Sequence, residues 1–167
     1  MLPFHSEYRD YDATVYRRTA GQIAETIAHA SGVRGKGRMA IPDGVPESWL
    51  AEEVTFVPGD TLTYEQLDAC DGVLTGCAAA IAVTGTIVLE HSREQGCRAL
   101  TLIPDYHLCV VYADQVFETV PEAIRRISGS TSPITTISGP SATSDIEMTR
   151  VMGVHDPRCL DVIIVEQ

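Results

Sequence analysis

The chain has 167 residues, 44% of them hydrophobic, enough for one domain with a substantial core. Its formal net charge of -11, with 12 basic against 23 acidic residues, argues against binding nucleic acid, because attraction to a phosphate backbone needs clustered Lys and Arg. The start Met1-Leu-Pro-Phe-His-Ser-Glu lacks the basic flank and apolar core of a signal peptide, and no apolar run reaches the ~20 residues of a membrane span. A soluble, cytoplasmic protein with no membrane partner is expected.

In chain order, Asp12 to Ala30 places Tyr16, Ala20, Ile23, Ala24 and Ile27 at helical spacing, with Arg17, Arg18 and Glu25 on the outer face and Gly32 as the stop. A basic connection, 32–37, leads to Arg38–Ile41 and Val54–Val57, which read as short buried strands around a helical turn near Trp49. Tyr64–Ala69 reads as a helix, Gly72–Thr75 as a strand, the alanine-rich stretch after it as a turn of helix, and Thr86–Leu89 as a strand. Ala99–Ile103 and Leu108–Tyr112, on either side of Pro104, read as central strands covered on both faces, with antiparallel pairing at the Pro104 corner. Pro121–Ile127 reads as a helix with Val120, Ile124 and Ile127 inward, and strands at Ile134–Ile137 and Leu160–Val165 close the chain. Together these predict a layered α/β fold, a predominantly parallel sheet flanked by helices, with 1–35 as an N-terminal helix and connection and 36–167 as the core.

Five cysteines, Cys70, Cys77, Cys97, Cys109 and Cys159, are odd in number and widely spaced, without the Cys-x-x-Cys pairs of zinc or cluster sites. They read as reduced and mostly buried, against the alternative of a single nucleophilic thiol, and no metal site is expected.

Chemistry-bearing residues concentrate between the last two strands. Ser144-Asp-Ile-Glu147 fits a capping box, which by itself only starts a helix. The functional reading adds Gly139, Ser141 and Thr143, whose loop can present amides and hydroxyls to an anion, with Asp145 facing the same cleft. Arg158 offers the planar fork that grips a carboxylate or phosphate, or else ties itself to Asp156 or Asp161 in a surface loop. His155 is a proton donor or acceptor, or a hydrogen-bonded structural residue. Thr84-Gly-Thr86 lets a ligand approach backbone closely, and Pro104-Asp-Tyr-His107 places His107 at strand ends; each also has a plain turn reading. Glu90-His91 reads either as a polar pair at a strand end or as solvated surface.

Taken together, Ala82-x-Thr-Gly-Thr86, Pro104-x-x-His107, Ser138-Gly-Pro-Ser-x-Thr-x-Asp-Ile-Glu147 and Gly153-Val-His-x-Pro-Arg158 resemble the lactate utilization (LUD) domain family from about Gly72 onward. The resemblance implies a NagB/RpiA/CoA transferase-like fold, shared with sugar-phosphate isomerases and formyltetrahydrofolate cyclo-ligase, with ligands at strand ends. It also implies the cluster-free component of an L-lactate oxidation system working beside two iron–sulfur partner proteins. It names no cofactor. Two positions depart from the family pattern: Val83 where glutamate is common, and Asp156 where glycine is common.

Three functions follow as alternatives. The first is a subunit of lactate oxidation that binds a small carboxylate or phosphorylated ligand between the Gly139–Glu147 loop and Arg158. The second is an independent enzyme on a sugar phosphate, folate or CoA ester with Asp145 or Glu147 as base. The third is a structural adaptor for iron–sulfur proteins.

Overall fold

The computed structural model describes residues 13–129, 131–139, 142–144, 150–152 and 157–166, with backbone alone at 142–144 and 150–152. Its centre is a six-stranded, wholly parallel sheet. The strands are β1 (Thr14–Thr19), β2 (Arg38–Ile41), β3 (Thr55–Pro58), β4 (Gly72–Thr75), β7 (Tyr106–Tyr112) and β12 (Cys159–Glu166), in the order β1-β12-β7-β4-β2-β3. β7 and β12 are neighbouring interior strands, and their apolar stretches Leu108–Val111 and Val162–Val165 fit strands buried on both faces.

One face is covered by helix α1 (Ile23–Arg34) and the 3-10 turn Glu47–Trp49, packing Ile23, Ile27 and Trp49 against Leu74, Leu108, Val110 and Ile163. α1 ends where Gly35 adopts φ 66°, a left-handed cap that glycine reaches without strain.

The other face carries a four-stranded sheet, order β8-β5-β6-β9: β5 (Ala79–Ile81), β6 (Thr86–Glu90), β8 (Val116–Phe117) and β9 (Ile134–Ile137). Cys77, Ala80, Ala82, Ile87 and Leu89 meet Cys109, Val111, Val162 and Ile164 between the two sheets. Short helices α2 (Tyr64–Asp68) and α3 (Arg98–Leu102) cover the β2–β4 end of that face through Leu67 and Leu100. Helix α4 (Val120–Ile127) caps the outer side of the small sheet. β10 (Ala142–Ser144) and β11 (Arg150–Met152) pair as a separate antiparallel ladder.

Four expectations need correction. Thr14–Thr19 is not the first turn of a helix but an edge strand paired with Asp161–Glu166, so Arg17 and Arg18 lie on a sheet margin. Ala79–Ile81 is a strand, because alanine side chains allow two sheets to approach closely and all three residues are buried. Arg98–Leu102 is a helix, and among the described residues the antiparallel ladders are β5–β6, β6–β9 and β10–β11, none of them at Pro104. In α4, Ala123 and Ile127 face inward, whereas Val120 and Ile124 are 43% and 51% exposed.

The carboxyl edge of the main sheet is closed by the segment 91–97, where the Gly44 N–H donates to the Arg93 carbonyl at 2.7 Å and the Gly76 N–H to that of Glu94 at 3.1 Å. A Cβ on Gly44 would sit 2.6 Å from the Arg93 carbonyl carbon, so backbone must move to admit one. Gly44→Ala is therefore expected to cost about 1–3 kcal/mol, read as a drop of about 3–10 °C in melting temperature.

Candidate functional site

Three sequence-selected residues meet at the turn between β5 and β6. Gly85 takes φ 58°, turning the chain so that the hydroxyls of Thr84 and Thr86 lie 2.8 Å apart. The hydroxyl of Thr86, a buried residue, is 2.7 Å from that of Ser138, just beyond β9. Gly139 follows with φ 81°. A row of three hydroxyls thus runs from an exposed threonine to the entrance of the segment 138–158.

Arg158 is fixed from the other side. Its N–H donates to the Asp105 carbonyl at 2.8 Å, and its guanidinium lies 3.6 Å from the Asp105 carboxylate, both side chains well exposed. This pair with Asp105 places Arg158 at the amino ends of β7 and β12, and Asp156 lies outside the described residues.

Both groups lie away from the carboxyl end of β7. Gln115, just past the carboxyl end of β7, donates to the Cys77 carbonyl at 2.8 Å where the chain enters β5. β5 runs from there toward the Thr84 turn, while β7 and β12 begin at the end opposite Gln115. The segment 138–158 then links Ser138 to Arg158.

His107 is not at the surface. It is wholly buried between the sheets, shares a 2.8 Å hydrogen bond with the Thr75 hydroxyl through Nε2, and leaves Nδ1 without a partner among the described residues. Burial holds its pKa down at about 4, so the ring is neutral at physiological pH. His91, by contrast, lies 3.3 Å from the Thr135 hydroxyl.

Ser141, Asp145, Glu147 and His155 lie outside the described residues. Thr143 is placed by its backbone, opposite Val151 in the β10–β11 ladder. Ser144 belongs to that strand, where the capping-box reading had put a helix start.

A second polar constellation was not anticipated. The Asp161 carboxylate, completely buried on the α1 face, receives Arg34 Nη2 at 2.7 Å and Nε at 3.1 Å, the Tyr106 hydroxyl at 3.0 Å and the Thr14 N–H at 3.1 Å. Its hydrogen bond holds the Arg34 guanidinium firmly protonated, and burial followed by the Asp161 charge pushes the Tyr106 phenol well up. One signal was in the sequence: a lone carboxylate inside Leu160-Asp-Val-Ile-Ile-Val, where a buried charge requires a partner. Ser138, Thr75 and Asp105 were also absent from the expected site.

The five thiols are free, with Cys70, Cys77 and Cys109 buried and Cys97 exposed. The neighbouring Cys109 thiol and burial raise the Cys77 pKa and leave it a poor nucleophile. Among the described residues no three His, Cys, Asp or Glu side chains converge to hold a metal ion, and no helix is long and apolar enough to cross a membrane.

Comparison with known proteins agrees with this architecture. A lactate utilization protein C of Deinococcus radiodurans is 45% identical over 166 residues, covering 97% of this chain and 77% of that protein. A lactate utilization protein C of Geobacillus thermodenitrificans is 28% identical over 180 residues, covering 95% and 73%. The crystal structure of a DUF162 family protein from Deinococcus radiodurans superposes with a TM-score of 0.86 at 39% identity, covering 98% of this chain and 94% of that one. The LUD domain model matches residues 48–165, from the Trp49 turn to the end of β12, and the chain belongs to the LUD domain family.

Proposed function

We propose that the protein is the cluster-free component of an L-lactate oxidation system and that it binds the carboxylate of lactate or pyruvate between the Thr84–Thr86–Ser138 hydroxyls and Arg158. Support for the pathway comes from family membership and from relatives named lactate utilization protein C. The observation that carries the site is the hydroxyl row, because it ties two sequence-distant motifs together and leads into Gly139, at the start of the segment that ends at Arg158.

Chemically, a carboxylate suits this setting. Hydroxyls donate to it, a guanidinium grips it in two parallel hydrogen bonds, and amides around Gly139 and Ser141 add further donors. Thr143 borders the same segment. Asp145, Glu147 and His155 are candidates in that segment to move a proton, and Val83 beside Thr84 supplies none. His107 lies beneath as a neutral buried group. Electron transfer belongs to iron–sulfur partner proteins acting with this chain in the cytoplasm.

Arg158 tests the reading, since its exposed pairing with Asp105 contributes little to stability. Arg158→Ala should weaken pyruvate binding in calorimetry about tenfold or more while moving the melting temperature by no more than about 2 °C. Unchanged affinity, or a large thermal loss with affinity retained, would contradict it. Turnover of a sugar phosphate, folate or CoA ester by the isolated protein would instead favour an independent enzyme.

A further inference from the structure

The strand order contains a switch point. The connection leaving β2 crosses the α1 face outward to β3, whereas the connection leaving β4 crosses the opposite face toward β7. Neighbouring strands that send their chains to opposite faces open a crevice at their carboxyl ends, the usual ligand position in open α/β sheets. Here the crevice between β2 and β4 is bridged by residues 91–97 through the Gly44 and Gly76 hydrogen bonds.

Beside that bridge lies a cavity of about 500 Å³ lined by Cys77, Glu90, Glu94, Gln115, Arg126 and Ser128, among others. It is at the Gln115 end of the molecule, away from Thr84 and Ser138. Its walls are held in place: Gln115 donates to the Cys77 carbonyl and accepts from the Tyr112 N–H at 2.9 Å, and Gln95 accepts from the Glu90 N–H.

We propose that this cavity is a second binding site, for a small zwitterion of the α-amino acid type. Charges of both signs surround it, Glu90 and Glu94 against Arg126. Among the described residues none of the three forms an ion pair or a side-chain hydrogen bond, so all three are available to a guest. An ammonium therefore sits toward Glu90 and Glu94, and a carboxylate toward Arg126. A diphosphate is disfavoured by the two glutamates, and an apolar guest by the polar lining.

The test is titration of ¹⁵N-labelled protein with L-alanine, with methylammonium and acetate as probes carrying one charge each. Saturable amide shifts are expected at 90–95 and 126–129, with both single-charge probes binding at least about tenfold more weakly. Arg126→Ala and Glu94→Gln should each weaken L-alanine about tenfold, while pyruvate still perturbs Thr84–Thr86 and Ser138. Absence of a saturable L-alanine shift, unchanged affinity in both variants, or acetate binding as well as L-alanine would overturn the proposal. Loss of the pyruvate response alone would leave this site standing and remove the other.

Discussion

Asp161→Asn is expected to lower the melting temperature by about 6–20 °C. The carboxylate is fully buried and satisfies four donors from three separate elements: Arg34 at the end of α1, Tyr106 at the start of β7 and the Thr14 N–H in β1. Asparagine can accept at one oxygen only, and it leaves the Arg34 guanidinium facing an amide donor in a largely apolar setting. Breaking a buried pair from one side costs about 3–5 kcal/mol, and each kcal/mol corresponds to about 2–4 °C for a chain of this size. The exposed pair Arg17–Glu166 supplies the control, since Glu166→Gln on the same sheet edge should shift the transition by about 2 °C or less. Equal shifts in the two variants would show that Asp161 does not anchor β1 and α1.

The second large effect is a pH dependence from His107. An exposed histidine titrates at 6.5, whereas burial brings this ring down to about 4, so the unfolded chain binds a proton between those values and the native chain does not. The stabilisation is complete above pH 6.5 and is lost as pH falls toward 4, amounting to about 3 kcal/mol over that window. Urea unfolding of wild type and His107→Gln from pH 7 to pH 4 reads the difference directly. Glutamine keeps a partner for the Thr75 hydroxyl yet does not titrate, so the variant should lose about 3 kcal/mol less than wild type on acidification. Parallel pH profiles would place an ionised or solvated imidazole at that position.

Residues with continuous apolar neighbours declared their state in sequence. Leu108–Tyr112 reads as a central strand because only burial on both faces tolerates such a run, and it lies inside the main sheet, beside the strand read at Leu160–Val165. Ala99–Ile103 carries a similar run but is too short to separate strand from helix by period, and the contact of Leu100 with Ala40, Leu67 and Val73 decides for helix. Ala79–Ile81 misleads through the helix propensity of alanine, overridden by the need for small side chains between two closely packed sheets. Thr14–Thr19 misleads because an edge strand can keep arginines on its margin, which blurs alternation.

The site was legible in part for the same reason. Thr84, Gly85, Thr86 and Arg158 stand out as residue types that approach or grip a ligand. Ser138 enters only because β9 pairs with β6, a contact between residues 52 positions apart. The Arg34–Asp161 pair spans 127 positions and follows from β1 and β12 lying side by side. The carboxyl-edge cavity draws Glu90, Gln115 and Arg126 from separate elements, so no single local motif announces it.

The most direct test of the account is a titration of ¹⁵N-labelled protein with pyruvate and L-lactate, read at every assigned amide. Saturable shifts are expected at Thr84–Thr86, Ser138–Gly139 and Arg158, abolished in Arg158→Ala. No saturable shift, or shifts confined to the Glu90–Gln115 end of the sheet, would contradict it.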